Sequence, residues 1–97
     1  MIYSAEAERQ IANLRRHYDE RDRTEALHNL VAALIEAEAA IESGTPIGRP
    51  APRPYPHLAR PGRLWLKAGR YWIAYSSDRP SMILAVFYDQ ANIPGRL

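Results

Sequence analysis

Apolar residues recur at helical spacing through the first half of the chain and at strand spacing through the last third, with a stretch between them that suits neither. Ala7, Ile11, Leu14 and Tyr18 follow one another at intervals of four, three and four, with Arg9, Asn13, Arg16 and Glu20 on the rest of the wheel, which predicts an amphipathic helix. Ahead of it Met1-Ile2-Tyr3 reads as a short strand. Ser4 is placed to accept from a free N–H of the first helical turn, and Glu6 and Glu8 complement the helix dipole. A break is expected at residues 19–22, where Asp22 can cap a second helix and Glu25, three residues on, can complete a capping box. The second helix carries Leu27, Leu30, Leu34, Ala37 and Ile41 on one stripe, widened by Val31 and Ile35, and stops at Ser43-Gly44 before Pro46. Helices over residues 5–21 and 23–43 with so short a link must run antiparallel, and the alanines at 32, 33, 37, 39 and 40 let a neighbouring backbone come close.

Six of the eight prolines fall in residues 44–62, and Pro50, Pro52, Pro54 and Pro56 alternate with other residues around Arg49, Arg53, Tyr55 and His57. Neither a helix nor a central strand can run through such a segment, because proline lacks the N–H and fixes φ. It reads as a stiff connector from the helices to a sheet, with a ligand for a polyproline-binding domain as the alternative. Three strands follow. Residues 63–67 alternate Leu64 and Leu66 with Arg63, Trp65 and Lys67, then Ala68-Gly69 turns the chain into residues 70–76. Residues 82–88 are almost continuously apolar, which predicts burial on both faces and a central place in the sheet. The predicted fold is α+β, ordered β-α-α-β-β-β, with the helical hairpin on one face of a small, mostly antiparallel sheet and the other face left available. Ile11, Leu14, Leu27, Leu30, Leu34, Ile73, Leu84 and Val86 are the expected core.

At 97 residues, 46% hydrophobic and 25% charged, the chain fits one domain over residues 1–97. It shows no apolar run long enough to span a bilayer and no signal-peptide pattern, so a cytoplasmic location without membrane contact is expected. Without cysteine there is no disulfide, thiolate nucleophile or Cys-based zinc site. His17 and His28 have no partner at metal-ligand spacing, so neither metal nor cofactor is expected. The net charge of +2 hides a polarity: residues 1–43 hold five arginines against nine carboxylates, net −4, while residues 44–97 hold eight cations against Asp78 and Asp89, net +6. The basic half suits an anionic partner, either nucleic acid or an acidic protein segment, or else is a solvated face. Trp65 and Trp72 read as a cross-strand aromatic pair in the core, with a base-stacking platform as the alternative.

The element order, the opening Tyr-Ser-Ala-Glu-Ala-Glu (3–8), the Gly48-Arg49-Pro50 element after the second helix, Gly-Arg-Tyr-Trp-Ile-Ala-Tyr (69–75) and Ile-Leu-Ala-Val-Phe-Tyr-Asp (83–89) together resemble the RelE/ParE superfamily of toxins from bacterial toxin–antitoxin pairs. The likeness extends over essentially the whole chain. In the RNA-cleaving branch, the resemblance implies, Lys, Arg, Tyr or His side chains on the last strands do acid–base work on a ribose 2′-hydroxyl and steady the phosphorane. Here the position where that branch tends to carry an arginine falls at or beside Trp72, and Tyr88 stands where many members have histidine. Phenols are poor general bases at neutral pH. Arg63, Lys67, Arg70 and Tyr88 are what such a nuclease would have to use.

The ending Tyr-Asp-Gln-Ala-Asn-Ile-Pro-Gly-Arg-Leu (88–97) is similar instead to the tail of ParE-like toxins, with Tyr88, Ala91 and Asn92 as departures. That branch implies growth arrest by poisoning DNA gyrase, with Arg63, Lys67, Arg70, Tyr88 and Arg96 as the target-binding set and no catalytic residue of its own. It also implies a cognate antitoxin, small, acidic and partly disordered, held in a hetero-oligomer. Two alternatives stand beside it, a ribosome-dependent mRNA interferase and an inactive homologue that only binds its antitoxin.

Overall fold

The computed structural model describes residues 1–44, 48–91 and 93. In chain order these form β1 (Ile2–Tyr3), α1 (Ala5–Glu20), α2 (Thr24–Glu42), a 3-10 turn at Pro56–Leu58, β2 (Arg63–Ala68), β3 (Tyr71–Ser76) and β4 (Met82–Tyr88). Two helices and a four-stranded mixed sheet make an α+β arrangement.

Ser4 starts α1 as expected: its Oγ accepts from the Ala7 N–H at 3.0 Å. The same hydroxyl donates to the Leu84 carbonyl at 3.1 Å, and the Ser4 N–H reaches the Ile83 carbonyl at 2.9 Å, so the cap also ties α1 to β4. Between the helices Asp22 is not the cap. It takes the left-handed conformation, φ 51°, while Arg23 sits at the N-cap without a side-chain bond and sends its N–H back to the Tyr18 carbonyl at 2.8 Å. A reversal this tight needs a residue at positive φ, and aspartate tolerates that better than arginine.

The strand order is β1-β4-β3-β2, with β1 parallel to β4 and the other pairs antiparallel, so the sheet is mixed. Ala68 pairs with Tyr71 across a two-residue turn of Gly69 and Arg70, one residue beyond the expected position, and Gly69 supplies the positive φ of 56° such a turn requires. Ala74 pairs with Ala85 but Tyr75 with Ile83, which leaves Leu84 as the extra residue of a bulge; its carbonyl is the one taken by Ser4. β4 is interior, in keeping with its unbroken apolar sequence.

On one face α1 and α2 cover the sheet. Leu30, Ala33, Ala37 and Ile41 of α2 and Ala7 and Tyr18 of α1 pack with Leu66, Ile73, Tyr75, Ile83 and Val86. Ile11, Leu14, Leu27 and Leu34 are half-buried rather than buried, and Val31 and Ile35 stay exposed at 40% and 63%. The stripe is narrower than its sequence suggests because α2 turns its small residues, Ala33 and Ala37, to the sheet, which rotates Val31 and Ile35 outward.

The other face is not left available. The connector folds back over it: Arg49 and Trp65 exchange two backbone hydrogen bonds of 2.7 Å, and Ala51 and Leu58, joined by Ile93 from beyond β4, are buried with Trp65, Trp72, Ala74, Ala85 and Phe87. Two interior strands that are apolar on both faces need cover on both, and the connector is the segment within reach. Leu84 is half-buried on this side, not in the helix-face core. Trp65 lies opposite Ala74 and Trp72 opposite Lys67, so the two indoles are diagonal neighbours. The ring stacked on Trp65 is Phe87, 6.2 Å away at an interplanar angle of 24°, reached over the small side chains of Ala74 and Ala85. At the start of the connector a Cβ on Gly48 would meet the Tyr75 hydroxyl and would lie 2.9 Å from the Leu64 Cβ, so only glycine fits.

Candidate functional site

β2 and β3 end at the Gly69-Arg70 turn and β4 ends beside it, so residues from three places in the sequence converge there. The Asp89 N–H, just after β4, bonds the Arg70 carbonyl at 2.8 Å and fixes its side chain under the turn. Its carboxylate accepts from Arg70 Nε at 3.0 Å and Nη2 at 3.4 Å, and Lys67 Nζ stands 3.2 Å away. Burial pushes the Asp89 carboxyl up, but the hydrogen bonds and charges of Arg70 and Lys67 outweigh it and hold the group below the usual carboxylate range. The Asp89 hydrogen bonds raise the Arg70 guanidinium in turn. Each cation also lies over a ring, Arg70 over Tyr88 at 5.5 Å and Lys67 over Trp72 at 5.8 Å.

Tyr88 meets the Tyr71 ring edge-on at 5.7 Å, and the Tyr71 hydroxyl is 2.5 Å from that of Tyr18. Burial, then the bond to Tyr18, raises the Tyr71 phenol well above its ordinary value, so Tyr71 stays protonated in the contact that links α1 to the sheet. On that side an open groove of about 1190 Å³ runs between α1 and the end of β4, where Gln10 Oε1 accepts from the Val86 N–H at 2.7 Å.

Of the residues expected to act together, Lys67, Arg70 and Tyr88 are gathered. Arg63 is not. It lies at the far end of β2, about 13 Å along the strand at the usual rise. There its Nη2 donates to the Leu58 carbonyl at 2.7 Å and its guanidinium covers the Trp65 ring at 5.2 Å, so it clamps the connector. Burial, then the nearby charge of Arg60, lowers the Arg63 guanidinium. Arg96 lies outside the described residues.

Sequence reasoning missed Asp89, which the hairpin register could have placed opposite Arg70. It also missed Arg49 and Arg53. These rim a cleft of about 570 Å³ on the connector-covered face, with Trp65, Trp72, Lys67 and Asp89 among its other walls. Both belong to the proline-rich connector, whose composition marks a stiff spacer and does not say what it packs against. Chemically, the sheet end offers paired cations over aromatic rings and a carboxylate too acidic and too engaged to serve as a base.

No protein-family model matches the chain, and no curated protein and no solved structure matches it. Fold and site define a small α+β protein in which two helices cover one face of a mixed sheet, with a cation–aromatic cluster at the sheet's end. Among the described residues no helix is long and apolar enough to cross a membrane.

Proposed function

We propose that this chain is the toxin of a type II toxin–antitoxin pair, a RelE/ParE-superfamily protein of the ParE-like branch. It arrests growth by binding and poisoning DNA gyrase in the cytoplasm, and a small, acidic, partly disordered antitoxin neutralises it in a hetero-oligomer. The β-α-α-β-β-β order and the motif positions support the superfamily reading. One observation carries the choice of a binding poison over a nuclease: Lys67 and Arg70 converge on Asp89, and among the described residues no uncommitted base stands with them. Ribonuclease chemistry needs a group that takes the 2′-hydroxyl proton and another that protonates the leaving oxygen. Asp89 below its usual range takes protons poorly, and Tyr88 lies under the Arg70 guanidinium.

The test is to induce the chain without its antitoxin and to compare DNA supercoiling and breakage with messenger-RNA integrity. Gyrase-dependent breakage with intact transcripts is expected. Lys67→Glu and Arg70→Glu should each relieve arrest in part, because docking surfaces lose affinity charge by charge. Cleaved ribosome-bound messenger RNA with untouched supercoiling would sink the proposal, all the more if Arg70→Ala or Tyr88→Phe lowered cleavage by about 100- to 10,000-fold. Persistent growth on induction would leave the antitoxin-binding homologue.

A further inference from the structure

The cleft on the connector-covered face holds cations of two kinds. Lys67 is matched by Asp89, whereas the guanidiniums of Arg49 and Arg53 meet no acceptor or carboxylate among the described residues. Their position is built, because the two backbone bonds between Arg49 and Trp65 fasten the connector to β2 at the cleft wall. Trp65 lines the same cleft, and its indole N–H is buried and meets no acceptor among the described residues, an arrangement that costs free energy unless something completes it.

The chemistry of the wall narrows the ligand. A nucleic-acid base would need an open aromatic face, and Trp65 has none to give. Arg63 lies over its ring and Phe87 stacks on it, and these come from the strand rows on either side of its own. Trp72 is almost fully buried and carries the Lys67 ammonium. What remains is two guanidiniums and a buried, unpartnered N–H, which is oxyanion chemistry. The charge of the oxyanion is limited by Asp89, whose carboxylate also lines the cleft and repels a dianion more than a monoanion. We propose that the cleft is a carboxylate site, filled by an Asp or Glu side chain of an acidic partner segment held by Arg49 and Arg53 and by the Trp65 N–H. This rests on the toxin reading only for the source of the segment.

The direct probe is the Trp65 indole N–H in a two-dimensional ¹H–¹⁵N spectrum of the full chain, assigned with Trp72→Phe. A capped Glu/Ala peptide, a capped Lys/Ala peptide and inorganic phosphate are titrated separately at one ionic strength held with sodium chloride. The acidic peptide should move the Trp65 signal downfield and saturably, phosphate should bind several-fold more weakly, and the basic peptide should leave it in place. Arg53→Gln, at an exposed position, and the double change Arg49→Gln with Arg53→Gln should each weaken the peptide by about 10- to 100-fold while the amide spectrum stays folded. The proposal fails if the Trp65 signal does not saturate with the acidic peptide, if both variants bind it as the parent does, or if phosphate binds as tightly. Because no arm reads growth or gyrase, a failed toxin reading leaves this result intact, and a failed cleft leaves the toxin reading intact.

Discussion

On its helix-bearing face the sheet is covered by segments whose apolar residues recur at the helical period, while on the opposite face it is covered by a proline-rich connector whose described part makes one 3-10 turn and one bridge. Both covers exclude water from the same two interior strands. The helices satisfy their own backbone bonds, so only their side chains must fit the sheet. The connector has few such bonds to offer, and it is held by what it meets: the Arg49–Trp65 pairing, the Arg63 bond to the Leu58 carbonyl, and Gly48 pressed against Tyr75. A cover made this way leaves side chains such as Arg49 and Arg53 at its margin, which is why these two unmatched cations lie on this face.

The largest effects should come from the centres of the two cores. Trp65→Ala removes the residue that unites connector, strand and the Phe87 stack, and should lower the unfolding free energy by about 3–5 kcal/mol in denaturant titration. A loss below about 1 kcal/mol would mean that the connector is a loose cover, not a second core. Leu30→Ala on the helix face should cost about 2–5 kcal/mol in the same titration, and a loss outside that range would break the equivalence of the two faces.

Gly48→Ala acts where the connector meets β2 and β3. It should cost about 1–3 kcal/mol in thermal unfolding through overpacking against Tyr75 and Leu64, and Tyr75→Phe in the same chain should recover part of it by removing the hydroxyl. The smallest effect is one of pH. A carboxyl held below its unfolded value contributes stability that is complete above the unfolded pKa and is lost as pH falls through the folded one. Melting temperature should therefore fall as the solution is acidified below the ordinary carboxylate range, and Asp89→Asn should flatten that slope while lowering stability at neutral pH. A slope unchanged by Asp89→Asn would assign it to other carboxylates.

The sequence by itself determined the elements and their order. Ile11, Leu14, Leu30 and Ile41 recur at the helical period, Ser4 stands where a cap must, and the apolar run of residues 82–88 predicts an interior strand, because each depends on neighbours within a few positions. Only the tertiary structure decided the rest. Which side of α2 faces the sheet depended on how closely Ala33 and Ala37 could approach it, a property of the packed pair that left Ile35 outside. The use of Asp22 as the left-handed residue and not the cap depended on how sharply the chain had to reverse. The cover of the second face, and with it the placing of Arg49 beside Trp65, joins residues far apart in sequence. No local period encodes such contacts; they follow from a sheet with two apolar faces and one connector long enough to reach the second.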